Sequence, residues 1–183
     1  MEAGGSELNF EIQEQKGFSG VLNAARFHWL GNLLAIGIVV DADDNIDRQW
    51  ANVSRSIAGD PIYRNLPDKP ETAGVIVPGL PRLGIWIWPD NKSSGELEDF
   101  IFRMIPQPDP VWPRSERYVD DIPEDARRFP PHKALRAKVH AWMATRERPR
   151  PMWAGISAKD LVPDENSRAF LDWLRRLFGD DIP

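Results

Sequence analysis

The sequence predicts an α/β fold in which a mostly parallel central sheet is flanked by helices and followed by a helical C-terminal part. Leu34 to Val40 is apolar without alternation, which is typical of a strand covered on both faces. Leu83 to Pro89 (LGIWIWP) has the same character, and segments of helical periodicity lie between and after these runs. The 183 residues favour one domain, residues 1–183, over two.

The first half of the chain predicts two helices and, besides Leu83 to Pro89, three strands. Glu7 to Gln15 alternates apolar and polar residues, as a half-buried edge strand does. Phe18 to Leu30 has helical spacing, so Leu34 to Val40 follows as the central strand of a parallel crossover unit. Ile46 to Ala58 is amphipathic and predicts a helix that packs on the sheet. Ala73 to Val77 predicts a short strand before the second apolar run.

The second half predicts helices. Apolar residues recur at helical spacing over Glu96 to Ile105, Lys133 to Arg146 and Asn166 to Phe178. Between the first two lies a proline-rich connector, residues 106–114, which we expect to be irregular because proline removes a backbone donor. A short helix over Ser115 to Asp121 follows the connector, which leads into the helical C-terminal extension.

Composition excludes several classes of protein. The chain has no cysteine, which rules out disulfides, thiolate metal sites and a cysteine nucleophile. The longest apolar run, Leu33 to Val40, is far shorter than the ~20 residues of a membrane-spanning helix. The start, MEAGGSELNF, lacks the pattern of a signal peptide. We therefore expect a cytoplasmic protein without membrane association.

The charge of the chain is unevenly distributed. The formal net charge is -5, yet Arg127 to Arg150, here called the basic segment, contains eight Lys or Arg and one acid. Such a segment on an acidic chain can bind phosphates, or it can be no more than a solvated helix face. If it binds nucleic acid, the expected contacts are Lys133, Arg136, Lys138, Arg146 and Arg148.

Carboxylates follow both predicted buried strands. Asp41 and Asp43 come directly after the first strand, and Asp90 follows the second. In open α/β sheets ligands bind beyond the carboxyl ends of the strands, and Mg²⁺ prefers oxygen ligands that include one or two carboxylates. The sequence thus predicts a Mg²⁺ or Mn²⁺ site at Asp41 and Asp43. The alternative is that these acids only cap the next helix, which Asp44 would do alone.

Other acidic loops fit less well. A calcium loop needs glycine and glutamate where this sequence has Ile46 and Asn52. Phosphatases of the haloacid dehalogenase type have a DxDx(T/V) loop, and this sequence has Asn45 where that motif has Thr or Val. The lysine and the element order of receiver domains are not evident. The last two classes stay as minor alternatives.

The run GIVVDADD resembles the strand and DxD loop of TOPRIM domains, the metal-dependent phosphoryl-transfer modules of topoisomerases, primases and overcoming-lysogenization-defect (OLD) nucleases. A larger set of segments is similar to an uncharacterised TOPRIM-related bacterial family, in order from Phe10 to Phe178. These segments are GIVVDADDNIDRQW, LGIWIWPDNKSSGELEDFI, RAKVHAWMATRERP and FLDWLRRLF. The resemblance implies a TOPRIM-like, Rossmann-like fold of unknown specific function.

The resemblance also implies roles for individual residues. Asp41 and Asp43 match the metal-binding DxD, and Glu98 resembles a second acid of OLD-type relatives. Asp90, Lys133 and Lys138 match family positions without a known role. The implied metal set is Asp41, Asp43, Glu98 and Asp90, and the implied catalytic set is Asp41, Asp43, Glu98 and Lys138. The expected activity is nuclease-type hydrolysis of phosphodiesters, and the expected setting is bacterial defence or DNA processing with a separate ATPase.

One departure from the TOPRIM pattern supports a rival function. TOPRIM domains begin with a strand that ends in glutamate, whereas no apolar strand precedes Glu2. The start lies further upstream, the module is degenerate, or Glu98 takes over. A degenerate module would bind a protein or nucleic acid through the basic segment and Pro106 to Pro113, where Trp112 is the ring expected to contact a partner.

Overall fold

The structure is a computed structural model that describes residues 10–17, 19–21, 23, 33–58, 65–146 and 160–179. The chain divides into two compact units. The first comprises residues 1–96 with 168–183, and the second comprises residues 97–167. Whether the two units form one domain, as the sequence predicts, stays a prediction. Within the described ranges no helix has the length and apolar character needed to cross a membrane.

The first unit contains a three-stranded mixed sheet. Its strands are β1 (Ala35–Asp41), β2 (Val75–Val77) and β3 (Arg82–Trp88), in the order β1-β3-β2. β1 and β3 are parallel, whereas β2 and β3 are antiparallel. The α/β class is confirmed, but the prediction that β1 is central is wrong for the described sheet, and so is the mostly parallel arrangement. Only residues 78–81 link β2 to β3, and so short a link permits a hairpin but no parallel crossover.

Helix α1 (Ile46–Ile57) covers one face of the sheet, as the sequence predicts. Its buried residues include Trp50, Val53 and Ile57, which recur at helical spacing and form one stripe. The stripe belongs to a core cluster with the side chains on that face of the strands. The strand members of this cluster are Ile38, Val40, Val75, Val77, Leu83, Ile85 and Ile87.

The C-terminal helix α5 (Glu165–Phe178) packs on the other face through residues that belong to the first unit. Trp173 and Leu177 are fully buried there. Gly84 of β3 leaves room for them, since a Cβ at this position would lie 2.8 Å from Cζ2 of Trp173. Trp86 of β3 also packs here, with its ring centroid 5.8 Å from that of Trp173. β3 is therefore apolar on both faces, which confirms its prediction as a buried strand.

The second unit is helical. It contains α2 (Leu97–Met104), α3 (Trp112–Asp120) and α4 (Ala134–Met143), with single 3-10 turns at Glu124–Ala126 and Pro131–Lys133. The helix predicted over Lys133 to Arg146 is thus confirmed with shorter bounds. The central apolar residues of α4, Val139 and Trp142, are completely buried.

Helix α3 corrects two predictions about the proline-rich connector. The helix begins inside the stretch predicted to be irregular, because Pro113 lies in its first turn, where no intrahelical donor is lost. Trp112 is only 6% exposed, and its ring centroid lies 4.9 Å from that of Phe102. The prediction that Trp112 contacts a partner is therefore wrong.

The N-terminal predictions are tested only in part. Residues 10–15 of the strand predicted over Glu7 to Gln15 are not in a strand, so the prediction is wrong for them. Phe10 instead stacks on Phe178 of α5, with 4.8 Å between the ring centroids. Within the helix predicted over Phe18 to Leu30, residues 19–21 and 23 are helical. The remainder of both segments lies outside the described residues.

Candidate functional site

Two loops leave the same edge of the sheet, where parallel strands β1 and β3 end with Asp41 opposite Trp88. The acidic loop comprises residues 41–45, and the second loop comprises residues 89–96. The amide of Ala42 donates to the carbonyl of Trp88 over 3.1 Å, which extends the strand pairing by one residue. The loops therefore meet at the carboxyl end of the strands, as the sequence predicts for the acids that follow them.

In the acidic loop, the residue that caps α1 is not one of the two predicted cation ligands. Asn45 caps α1, because its Oδ1 accepts a hydrogen bond of 2.7 Å from the amide of Arg48. Asp44 forms an ion pair with the side chain of Arg48. The alternative in which Asp44 is the cap is therefore wrong. Asp41 is half-buried and Asp43 is exposed, and the helix cap requires neither of them.

Asp90 shapes the second loop. Its Oδ1 accepts hydrogen bonds from the amides of Lys92 (3.1 Å) and Ser93 (2.7 Å). Its Oδ2 accepts from the hydroxyl of Ser93 over 3.1 Å. These contacts form the kind of turn in which an aspartate side chain replaces a backbone acceptor. Asp90 as a metal ligand stays a prediction.

Asn91 is a buried residue that sequence reasoning missed. It is 2% exposed, its amide donates to the carbonyl of Ile87 over 2.9 Å, and its Oδ1 accepts from the Ile87 amide over 2.7 Å. The side chain thereby accepts a backbone hydrogen bond from β3 at Ile87, which lies beyond the residues that pair with β2. The Asp-Asn dipeptide after a strand is a turn signal that could have indicated this role, because asparagine tolerates the positive φ of +58° found here.

The donors of the acidic loop suit a hard cation. Asp41 and Asp43 offer carboxylate oxygens, and Mg²⁺ typically takes one or two carboxylates together with water and substrate oxygens. Over the ranges that the structure describes, no group of three or more His, Cys, Asp or Glu residues is placed to hold a metal ion. The two-carboxylate site remains a prediction that the donor chemistry fits.

Glu98 lies in the second unit, on α2, with its side chain 7% exposed. Its Oε1 is 3.2 Å from Nε of Arg136 and 3.4 Å from Nε2 of His140, which are one turn apart on α4. Burial of a carboxylate is costly unless cations or donors compensate it. The charge of Arg136 provides this compensation, while the metal-binding and catalytic roles of Glu98 stay predictions.

Most of the described cations predicted to contact nucleic acid have carboxylate neighbours within the second unit. Lys138 Nζ lies 3.0 Å from Asp120, and Arg136 pairs with Glu98. Arg146 lies 4.1 Å above the Trp142 ring. Arg146 Nη1 also lies 3.7 Å from Asp160. Lys133 is half-buried, and Arg148 lies outside the described residues.

Asp109 is a structural carboxylate that sequence reasoning also missed. Its Oδ1 accepts hydrogen bonds from the amides of Val111 (2.8 Å) and Trp112 (2.6 Å) and from the indole of Trp142 (3.1 Å). Burial raises the pKa of Asp109, but these hydrogen bonds and the charge of Arg146 outweigh it and leave the pKa below 3.8. An aspartate followed by proline, three residues before Trp112, is the sequence signal for this turn.

The fold and the loops define a mixed α/β protein with carboxylates gathered at the carboxyl end of a parallel strand pair. A family profile described as a protein of unknown function (DUF3226) matches residues 2–179, so the chain belongs to this family. The match confirms the assignment to an uncharacterised family over nearly the whole chain. Searches among curated proteins and among solved structures give no significant match.

Proposed function

We propose that this protein is a Mg²⁺- or Mn²⁺-dependent nuclease of the TOPRIM type that hydrolyses nucleic-acid phosphodiesters. The proposal includes a TOPRIM-like fold, which rests on the resemblance of GIVVDADD to the TOPRIM strand and DxD loop. The single observation that carries it is the position of Asp41 and Asp43 at the carboxyl end of β1. Asp41 is the last residue of the strand, and the backbone of Asp43 is bonded to the loop that follows β3.

In this proposal Asp41 and Asp43 hold the cation. Asp41 is half-buried at the end of β1, while Asp43 is exposed on the loop that follows. Asn45 supplies the helix cap, which supports a role other than capping for both acids. A bound Mg²⁺ would polarise a phosphoryl oxygen and lower the pKa of a bound water.

Residues of the second unit enter the proposal through the sequence alone. Glu98 is proposed as a further acid and Lys138 as the group that neutralises the scissile phosphate. The proposed contacts to the nucleic-acid backbone are Lys133, Arg136, Lys138, Arg146 and Arg148. A separate ATPase, within a bacterial defence or DNA-processing system, is the protein partner that the resemblance implies.

The second candidate is a catalytically degenerate module of the same family that binds a protein or nucleic acid. The observation that favours its protein-binding form is the pairing of Arg136, Lys138 and Arg146 with carboxylates of their own unit. Paired cations offer less charge to a phosphate backbone than the eight basic residues of the basic segment suggest.

A cleavage assay separates the two candidates. Purified protein is incubated with plasmid DNA and with single-stranded DNA and RNA, with Mg²⁺, with Mn²⁺ and with chelator. We expect cleavage only with the cations, and its abolition in Asp41→Ala and Asp43→Ala. The matched control is Asp44→Ala, which removes a neighbouring carboxylate already paired with Arg48. Cleavage that persists in Asp43→Ala would contradict the nuclease proposal, and salt-sensitive binding without turnover favours the module.

A further inference from the structure

Asp43 and Gly95 form a reciprocal backbone contact between the acidic loop and the second loop. The amide of Asp43 donates to the carbonyl of Gly95 over 3.0 Å, and the amide of Gly95 donates to the carbonyl of Asp43 over 2.7 Å. These bonds form an isolated antiparallel bridge outside the named strands. Both backbone polar groups of Asp43 are therefore bound to one residue on the other loop.

Both residues of this bridge have unusual backbone conformations. Asp43 has a φ of +52°, which aspartate tolerates better than most residues. Gly95 has a φ of +139°, a backbone conformation that favours glycine because it has no Cβ. A sparsely populated conformation persists where the surrounding contacts determine it, and the bridge supplies two such contacts.

Two further bonds flank the bridge, one from the acidic loop to the end of β3 and one between the two loops. The amide of Ala42 donates to the carbonyl of Trp88 over 3.1 Å. The hydroxyl of Ser94 donates to the carbonyl of Asp44 over 3.0 Å. Three consecutive residues of the acidic loop are thus bonded to β3 or to the loop that follows it, which fixes the backbone that carries the Asp43 carboxylate.

We infer that Gly95 is a positioning residue that, through its backbone bridge, orients Asp43 toward the proposed cation. The inference rests on the proposed function, because it assigns the cation to Asp41 and Asp43. A metal-binding side chain on a fixed backbone loses less conformational freedom when the cation binds. The bridge therefore raises the affinity for the cation although Gly95 does not contact it. Any side chain at position 95 disfavours the required φ and weakens the bridge.

The test compares Gly95→Ala with Gly17→Ala. Gly17 also has a positive φ, of +66°, and a Cβ built there has no atom of the described residues within 4 Å other than those of its chain neighbours. The Gly17→Ala variant therefore carries backbone strain at a position outside the bridge. Hydrogen exchange of the Asp43 and Gly95 amides, measured without cation, reports the bridge directly. Calorimetric titration with Mg²⁺ and with Mn²⁺ reports the ligand geometry.

We expect amide exchange at Asp43 to rise about tenfold or more in Gly95→Ala, with a comparable loss of Mg²⁺ affinity. Neither quantity should change in Gly17→Ala. Ser94→Ala removes the neighbouring bond without backbone strain and keeps the test informative if Gly95→Ala fails to fold. We expect this variant to weaken Mg²⁺ binding about threefold.

The possible failures are distinguishable. If Gly95→Ala and Ser94→Ala bind Mg²⁺ as tightly as the wild type does, the positioning role is overturned and the proposed function stays in place. An equal loss of affinity in Gly17→Ala overturns it as well, since strain alone would then explain the effect. Absence of cation binding to the wild type overturns both the positioning role and the proposed function.

Discussion

Asp109 illustrates, at the scale of the residue, how one carboxylate organises two helices. One of its oxygens accepts bonds from two amides at the start of α3 and from the indole of Trp142 on α4. The start of a helix leaves amides without intrahelical acceptors, and a charged acceptor satisfies them better than a neutral one. The side chain therefore fixes the entry of α3 and joins it to α4.

Replacing this carboxylate should destabilise the second unit. We expect Asp109→Ala to lower the free energy of unfolding by about 2 kcal/mol, because two amides and a buried indole lose their acceptor. Chemical denaturation followed by tryptophan fluorescence measures the change. Asp125→Ala, at an exposed carboxylate, is the control and should change stability little. Equal stability of Asp109→Ala and wild type would show that water replaces the carboxylate without loss.

The same carboxylate predicts a dependence on pH. Its pKa in the folded protein is lowered from 3.8, so its stabilisation is fully present above that value and is lost as pH falls through the lowered pKa. We expect the stability difference between wild type and Asp109→Asn to be constant near neutral pH and to shrink at acid pH. Denaturation curves recorded across this range test the sign, and a difference that grows on acidification would refute it.

At the scale of the element, the packing of α5 on the sheet depends on a glycine, which has no side chain, at position 84. Gly84 of β3 faces Trp173 and Leu177, and a Cβ there would lie within 2.8 Å of the indole. Protein cores are close-packed, so an added methyl group must displace its neighbours. The run LGIWIW combines glycine with large rings, which lets the helix approach the strand closely.

Gly84→Ala should separate α5 from β3. We expect a loss of about 2 kcal/mol in the free energy of unfolding, which is the usual cost of overpacking a core. Thermal and chemical denaturation measure it. Gly20→Ala is the matched control, because the nearest atom to its added Cβ lies at an ordinary 3.5 Å and the residue is helical. Wild-type stability in Gly84→Ala would mean that α5 shifts freely on the sheet.

Local periodicity predicted the helices and the buried strands, since α1 and β3 each present a clear apolar pattern over their own length. The orientation of β2 was not predicted, because it depends on the four-residue link to β3 rather than on the strand residues. The burial of Trp112 was missed because it depends on Phe102, a residue of a different helix. Contacts between elements are thus the part that pattern alone does not reveal.

At the scale of the whole molecule, the distribution of charge along the sequence differs from its distribution in the folded protein. The basic segment is strongly positive along the sequence, but Glu98, Asp120 and Asp160 supply carboxylates to it from other parts of the second unit. Sequence counts cannot reveal this compensation, because its members are far apart in the chain. A phosphate-binding role for the segment therefore requires more than its composition.

The candidate site was predictable to the extent that strand topology determines it. Parallel β1 and β3 end at one edge of the sheet, which is the edge that the sequence predicts for Asp41 and Asp90. The bridge from Asp43 to Gly95 and the burial of Asn91 were not predictable, since both depend on loop residues with positive φ. Roles proposed for Asp41 and Asp43 remain predictions about their side chains.

The central claim is that Asp41 and Asp43 hold a divalent cation. Calorimetric titration of Mg²⁺ and Mn²⁺ into the wild type and into the double variant Asp41→Ala with Asp43→Ala tests it most directly. We predict binding to the wild type that is lost in the double variant, while circular dichroism shows an unchanged fold. Equal binding by both proteins, or no binding by the wild type, would contradict the claim.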